Sequence, residues 1–296
     1  MGALEDEVLR SPRLHQPHSL QEAWELKSSL GADALYVSGG TLLRTQWEAG
    51  TVPMPGHLID LRRITELASI SSTEMHLTLG ALVTLSDCRR NEEVYQVAPA
   101  VQEAARCIAA PSVRNLGTLG GNISSGYGDI LPALLIYDAE LVTYNGNFLK
   151  ITSVREWLDE RWNGRVPAAN LVAGIRIAPP VQEMEGEKRL EVFRKVGRRE
   201  AFTASLVTVA LAATLSAERR MTNVRIAAGG GSGRPQRLQS AEAVLEGAVY
   251  EEQMLPAIFE AVAGSFETYT DPFATEAYKK KTAGNIVVSE LWKAMN

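Results

Sequence analysis

Two glycine-rich segments carry the residue types best suited to hold an anion or a polyol. The first is Val37-Ser38-Gly39-Gly40-Thr41-Leu42-Leu43, which follows a short apolar run. Glycines directly after a strand let backbone N–H groups approach an anion closely, and Ser38 and Thr41 add hydroxyl donors. The segment has neither the spacing of GxGxxG nor the Gly-Lys-Ser/Thr of a phosphate loop, so a plain tight turn stands beside the anion cradle as a reading. The second segment, Arg114-Asn115-Leu116-Gly117-Thr118-Leu119-Gly120-Gly121-Asn122-Ile123, packs three glycines, two asparagines and one threonine into ten residues. Asp129, just beyond it, can accept from sugar-like hydroxyls. A loop satisfied by its own hydrogen bonds is the alternative. A ligand with a pyrophosphate and a polyol would use both segments. A third cluster, Gly229-Gly230-Gly231-Ser232-Gly233-Arg234, reads as a connection between elements rather than a site.

Other chemistry is thinly supplied. The cysteines are Cys88 and Cys107, too few for a disulfide framework, a structural zinc site or a four-cysteine iron–sulfur site. The histidines, His15, His18, His57 and His76, show no HExxH spacing. Thiols and imidazoles therefore read as packing or surface groups, and redox work would fall to a bound organic cofactor. Thirty Lys+Arg against thirty-five Asp+Glu give a formal charge of −5 over 296 residues. No global basic field attracts nucleic acid. Residues 1–10 carry three acidic side chains and no long apolar stretch, unlike a signal peptide. The longest apolar segment, 206–215, is far short of the ~20 residues that span a bilayer. A cytoplasmic protein without a membrane span is expected.

The elements that must position these loops alternate without a regular βαβ beat, which favours α+β. Residues 1–13 read as a flexible arm. Ser19 and Glu22 form a capping-box signal for a helix ended by Gly31. Short strands are expected at 34–37 and 57–61, a turn at 64–67, and an alternating strand at 74–79. A helix begins at 84–90, a longer one covers 95–110, and Pro111 stops it. Residues 112–129 read as loop and 130–137 as helix. Strands at 140–144 and 148–151 make a hairpin around Asn145-Gly146-Asn147. Further strands fall at 171–177 and 190–196, flanking the Pro-rich, charged loop 179–188, the best candidate for a domain boundary. Beyond it the apolar run 201–217 reads as a helix, 221–228 as a strand, and 240–245, 251–262 and 275–295 as helices.

These segments together resemble the flavoprotein (medium) subunits of the molybdenum hydroxylases, the family of bacterial xanthine and carbon monoxide dehydrogenases. VSGGTLL at 37–43 with HLIDL at 57–61 is similar to that family's first FAD loop. APSVRNLGTLGGNI at 110–123 with DILPALLIYDAEL at 129–141 is similar to its second, and is the more specific match. FRKVGRRE at 193–200, AAGGGSGRPQR at 227–237 and YKKKTAGNIVV at 278–288 resemble later landmarks, so the likeness runs from about residue 14 onward. It implies an α+β protein: a two-lobed FAD-binding domain of the PCMH/VAO (vanillyl-alcohol oxidase) type at 14–179, with lobes at about 14–61 and 62–179. A C-terminal α+β domain with a small antiparallel sheet would follow at 189–296.

By the same resemblance, Val37, Ser38, Gly39, Gly40, Thr41, Leu42 and Leu43 would hold the pyrophosphate through backbone amides. Thr118, Gly121, Asn122 and Ser125 would contact pyrophosphate and ribityl, and Asp129 the ribityl hydroxyls. Val172 would lie by the isoalloxazine and Lys195 near its polar edge. Three departures stand out. Leu42 replaces a common Asp, and the stretch before Asp129 is about two residues short, which shifts the register of Ser124, Ser125 and Tyr127. Ile108 sits where some members stack an aromatic ring, a role Tyr127 is placed to take instead.

The function implied is electron transfer. Substrate would be oxidised at a molybdopterin centre on a large subunit, and electrons would cross [2Fe–2S] clusters on a small subunit to noncovalently held FAD here. They would leave to NAD or another acceptor. No acid–base triad is needed, and none is evident. The partner's substrate (purine, CO, nicotinate or aldehyde) is not written in this chain. The alternatives are a stand-alone flavin-dependent oxidoreductase of the same broad fold and an FAD-less structural subunit.

Overall fold

Ser19 starts the first helix as its composition predicts: the side chain accepts from the Glu22 amide at 3.1 Å, while the Glu22 carboxylate accepts from the His18 amide at 2.8 Å. The structure, a computed structural model, describes residues 11–180, 184–198, 204–231 and 233–296. In the N-terminal lobe β1 (Arg13–His15), α1 (Leu20–Leu30), β2 (Ala34–Val37), α2 (Thr41–Glu48) and β3 (His57–Asp60) follow in order. The three strands form a parallel sheet in the order β1-β3-β2. Arg13 thus already pairs with His57, inside the stretch expected to be a loose arm, and the rest of that arm at 1–10 lies outside the described residues. Ala23, Ala34, Ile59, Ile64 and Leu171 make this lobe's core.

The next lobe contains β4 (Ile70–Ser72), β5 (Leu77–Gly80), α3 (Leu85–Arg90), α4 (Glu92–Val97), α5 (Pro99–Cys107), α6 (Pro111–Arg114), α7 (Leu119–Ser124) and α8 (Leu131–Ile136). It is completed by β6 (Glu140–Tyr144), β7 (Leu149–Ser153), α9 (Val154–Trp162) and β8 (Leu171–Ile177). Its sheet is antiparallel throughout, in the order β4-β5-β8-β6-β7. The 74–79 strand starts only at Leu77, because the Thr73 amide donates to the His76 carbonyl and closes a turn there.

The long helix expected at 95–110 is broken. Pro99 pushes Ala98 out of the helical region (φ −144°, ψ 64°), so α4 ends and α5 begins with Pro99 in its first turn. Pro111 does not stop α5, which has already ended at Cys107; it opens α6 instead. The expected loop 112–129 also contains helix, because Thr118 caps α7 by accepting from the Gly121 amide at 3.1 Å.

The last unit holds β9 (Lys188–Gly197), β10 (Ser205–Leu215), β11 (Met221–Gly230), β12 (Gly233–Arg237), α10 (Gln239–Leu245), α11 (Leu255–Ser265) and α12 (Glu276–Met295). Its strands form an antiparallel sheet in the order β12-β11-β10-β9. The apolar helix expected at 201–217 is therefore the central strand β10, with residues 201–203 outside the described set. The reason is burial on both faces. Val207, Val209, Leu211, Ala213 and Leu215 face the core shared with α10–α12, whereas Ala210 faces the core of the second lobe. A strand covered on both sides reads as one continuous apolar run and loses the alternation that marks a half-exposed strand.

Candidate functional site

The first glycine segment leaves the C-terminal end of β2 and turns directly into α2. Gly40 makes that turn with φ +67°, a left-handed conformation that costs glycine little. Having no side chain, it leaves the first-turn amides of α2 uncapped, so the N–H groups from Thr41 to Leu43 have no partner within the helix. The start of this segment is anchored from β3. Val37 pairs with Asp60, whose buried carboxylate accepts from Arg62 Nη2 at 2.7 Å and from Gln16 Nε2 at 3.2 Å. Burial pushes the Asp60 carboxyl upward, but the Arg62 hydrogen bonds outweigh it and hold the group below its ordinary range.

The second segment packs onto the first. The Ser38 and Thr118 hydroxyls meet at 2.9 Å, across 80 residues of sequence. A Cβ on Gly39 would lie 1.8 Å from the Leu116 carbonyl oxygen, so only glycine allows this approach. A Cβ on Gly120 would lie 2.7 Å from that of Ala81, and the amides of Leu119 and Gly120 donate to Val83 and Ala81 at 2.9 and 2.8 Å. Thus Gly120 seats the segment on its own lobe, and the amides of Leu119 and Gly120 are spent on the fold. Gly121 differs: it is exposed, and a Cβ there would meet only the Thr118 and Ser38 hydroxyls, at 3.2 and 3.5 Å.

Asn122 turns inward, its Oδ1 accepting from the Ile130 amide at 3.3 Å, while its carbonyl accepts from Ser125 Oγ at 2.6 Å. The shortened stretch is tied down by side chains. The Ser125 hydroxyl accepts from the Tyr127 amide at 3.3 Å, Gln46 Nε2 donates to the Tyr127 hydroxyl at 3.1 Å, and Trp162 Nε1 donates to the Gly126 carbonyl at 3.0 Å. Tyr127 thereby joins the second segment to α2. Ile108 is buried in the core, with its carbonyl accepting from Arg114 Nη1 at 2.9 Å.

Asp129 faces the C-terminal unit. Its Oδ2 lies 2.9 Å from Lys195 Nζ and its Oδ1 accepts from Ser205 Oγ at 2.5 Å. The Lys195 and Asp129 side chains are only 10% and 14% exposed, so this ion pair is largely shielded from solvent. Val172, half-buried on β8, pairs with Thr143 of β6. Leu42 projects into solvent, 40% exposed. The structure therefore joins Ser38, Gly39, Thr118 and Gly121 in one place and Asp129 with Lys195 in another. Ser205, Gln46 and Trp162 join them without having been signalled by sequence; a serine at a strand start and a glutamine on a helix carry no motif.

The cradle fits the pyrophosphate and polyol of a dinucleotide. It offers an uncapped helix start, two hydroxyls, an exposed glycine and a carboxylate acceptor. Among the described residues no cluster of three or more His, Cys, Asp or Glu side chains is arranged to hold a metal ion. No helix among them is long and apolar enough to cross a membrane.

The family profile described as FAD binding domain in molybdopterin dehydrogenase matches residues 10–180. The chain belongs to this family. A second profile, CO dehydrogenase flavoprotein C-terminal domain, matches residues 191–293. Within the family, the chain is 39% identical over 123 residues to the carbon monoxide dehydrogenase medium chain of Hydrogenophaga pseudoflava. That stretch spans 41% of this chain and 42% of the relative. It is 27% identical over 282 residues to the corresponding medium chain of Afipia carboxidovorans, covering 91% of this chain and 92% of that one. The crystal structure of a Cu,Mo-CO dehydrogenase shares its fold, with a TM-score of 0.85 at 24% identity over 94% of this chain and 95% of the other. The α+β fold and the resemblance seen in the sequence are thus both borne out, and the chain is an FAD-binding oxidoreductase component of the molybdenum hydroxylase family.

Neither cysteine is activated. Burial pushes the Cys88 thiol up to about 12, with the neighbouring Asp87 charge adding to the effect, and burial also raises Cys107. A thiol reagent at pH 8 is therefore expected to modify half-exposed Cys107 slowly and Cys88 only after unfolding. Mass spectrometry of labelled protein, with and without denaturant, checks this; rapid labelling of native Cys88 would contradict it.

Proposed function

We propose that this chain is the electron-transfer subunit of a molybdenum hydroxylase, holding FAD noncovalently and passing electrons from a partner's iron–sulfur clusters to NAD or another acceptor. The observation that carries this reading is the contact between the two glycine segments, sealed by the Ser38–Thr118 hydrogen bond beside the uncapped start of α2. In this reading the amides from Gly39 to Leu43 and the Ser38 hydroxyl take the pyrophosphate, aided by the positive end of the helix dipole. Backbone recognition explains why Leu42 can replace an acidic residue: its side chain points away into solvent. Thr118, Gly121, Asn122 and Ser125 line the path toward the ribityl chain, and Asp129 accepts from its hydroxyls. Val172 lies beside the ring system. Lys195 brings a fixed positive charge to the polar edge, where electron uptake concentrates negative charge. The flavin, when bound, supplies the redox chemistry; the chain binds, orients and electrostatically tunes it.

The partners implied are a molybdopterin-bearing large subunit and a [2Fe–2S] small subunit. Their support is the medium-chain and medium-subunit naming of relatives that match over nearly the whole chain. The division into an FAD-binding unit at 14–179 and a C-terminal unit at 189–296 belongs to the same proposal, supported by their separate sheets. Purification of the tagged chain from its native cell tests it. The expected result is a yellow complex with two further subunits, which releases its flavin into the supernatant on acid precipitation. A lone chain reduced directly by substrate, or a yellow pellet after acid treatment, would overturn the proposal or its noncovalent part.

A further inference from the structure

We propose that Ser205 is a positioning residue for the flavin site, fixing the Asp129 carboxylate from the C-terminal unit. This rests on the proposed role of Asp129 and Lys195. Ser205 is 4% exposed and lies at the first position of β10. Its hydroxyl donates to Asp129 Oδ1 at 2.5 Å and accepts from the Gly231 amide at 3.1 Å. Because the Gly231 N–H occupies a lone pair of the hydroxyl, the Ser205 proton is directed at the carboxylate. Asp129 Oδ2 faces Lys195 at 2.9 Å. Each carboxylate oxygen thus has one fixed donor and keeps a lone pair for an incoming hydroxyl.

The local backbone is built around this contact. The β9–β10 register shifts between Ser205 and Val207, a bulge of the kind that re-aims a side chain. Opposite the bulge, a Cβ on Gly230 would lie 2.7 Å from the Val207 Cα and 2.9 Å from the Leu206 carbonyl oxygen. Gly230 and Gly231 both have positive φ, +118° and +61°, and together bring the hairpin amide under Ser205. A Cβ on Gly231 would lie 3.5 Å from Asp271 Oδ2 and 3.7 Å from the Ser205 carbonyl oxygen, and Asp271 is itself held by the buried Lys279 at 2.5 Å. The third glycine cluster is therefore more than the connection between elements that its sequence suggests. It lets the C-terminal hairpin buttress a carboxylate contributed by the FAD-binding unit.

FAD titration of the full-length apo chain, followed by flavin fluorescence, tests this. Ser205→Ala is expected to weaken FAD about tenfold, the loss of one hydrogen bond to a charged group, and Ser205→Thr to restore most of it. In an Asp129→Asn background, adding Ser205→Ala should cause less than a further twofold loss, because Ser205 acts through that carboxylate. A purely structural serine would give the same loss in both backgrounds, which overturns the proposal, as does a Ser205→Ala affinity within twofold of the parent. Should Ser205→Ala not fold, Ser205→Cys, of similar shape but a weak donor, gives the same readout. If the parent chain itself takes up no FAD, the underlying reading fails. If the parent binds and only the Ser205 comparison is flat, this inference alone fails.

Discussion

Gly39→Ala is expected to purify as a folded chain that has lost flavin. The Cβ would sit 1.8 Å from the Leu116 carbonyl oxygen and 2.5 Å from its carbon, whereas nonbonded carbons rest ~3.5–4.0 Å apart. Both partners are backbone, so no rotamer change relieves the overlap and the two glycine segments must separate. Overpacking of this kind costs on the order of 1–3 kcal/mol. The strain falls on the contact that aligns Ser38 with Thr118, so the lost affinity is expected to approach about 3 kcal/mol, roughly a hundredfold. Flavin titration and the FAD content of purified protein measure the effect. Gly264→Ala is the control: it lies in α11 with nothing within 4 Å of the new Cβ, and should retain flavin. Parental FAD affinity in Gly39→Ala would mean that the two segments do not cradle the cofactor together.

Lys195→Met is the second large effect. Removing one member of a buried ion pair leaves the other charge uncompensated, which costs roughly 3–5 kcal/mol. With the Lys195 and Asp129 side chains 10% and 14% exposed, the lower end applies, about 3 kcal/mol. In a chain of 296 residues that is roughly a 5 °C fall in Tm, read by thermal denaturation. The double variant Lys195→Met/Asp129→Leu, with neither charge left, is expected to recover part of that loss while losing FAD. A double variant no more stable than Lys195→Met would show that the pair does not carry the predicted penalty.

What was legible in the sequence follows from physics local to the chain. The glycine segment after β2 stood out by composition, but nothing local separated a tight turn from an anion cradle, and helix α2 behind it carried no signal. Ser19 and Glu22 signalled α1, and Asn145-Gly146 the β6–β7 hairpin, for similarly local reasons. Central strand β10 was hidden because burial on both faces erased its alternation. The break between α4 and α5 was written in Pro99, whose effect on Ala98 outweighs the helical composition around it. The site divides in the same way. Ser38, Gly39, Thr118 and Asp129 could be picked out by residue type, but the hydroxyl contact between Ser38 and Thr118 spans 80 residues. Ser205 reaches Asp129 across 76 residues, from a strand that read as a helix. Neither pairing has a local signature.

The proposed electron path needs FAD to sit in one groove, with pyrophosphate at the start of α2 and ribityl at Asp129. A crystal structure of the full chain grown with FAD tests that claim most directly. Pyrophosphate oxygens are expected within hydrogen-bonding reach of the Gly39–Leu43 amides and the Ser38 hydroxyl, with ribityl hydroxyls on Asp129 and Lys195 at the polar edge of the ring. FAD bound elsewhere, or contacts that bypass both glycine segments, would contradict it.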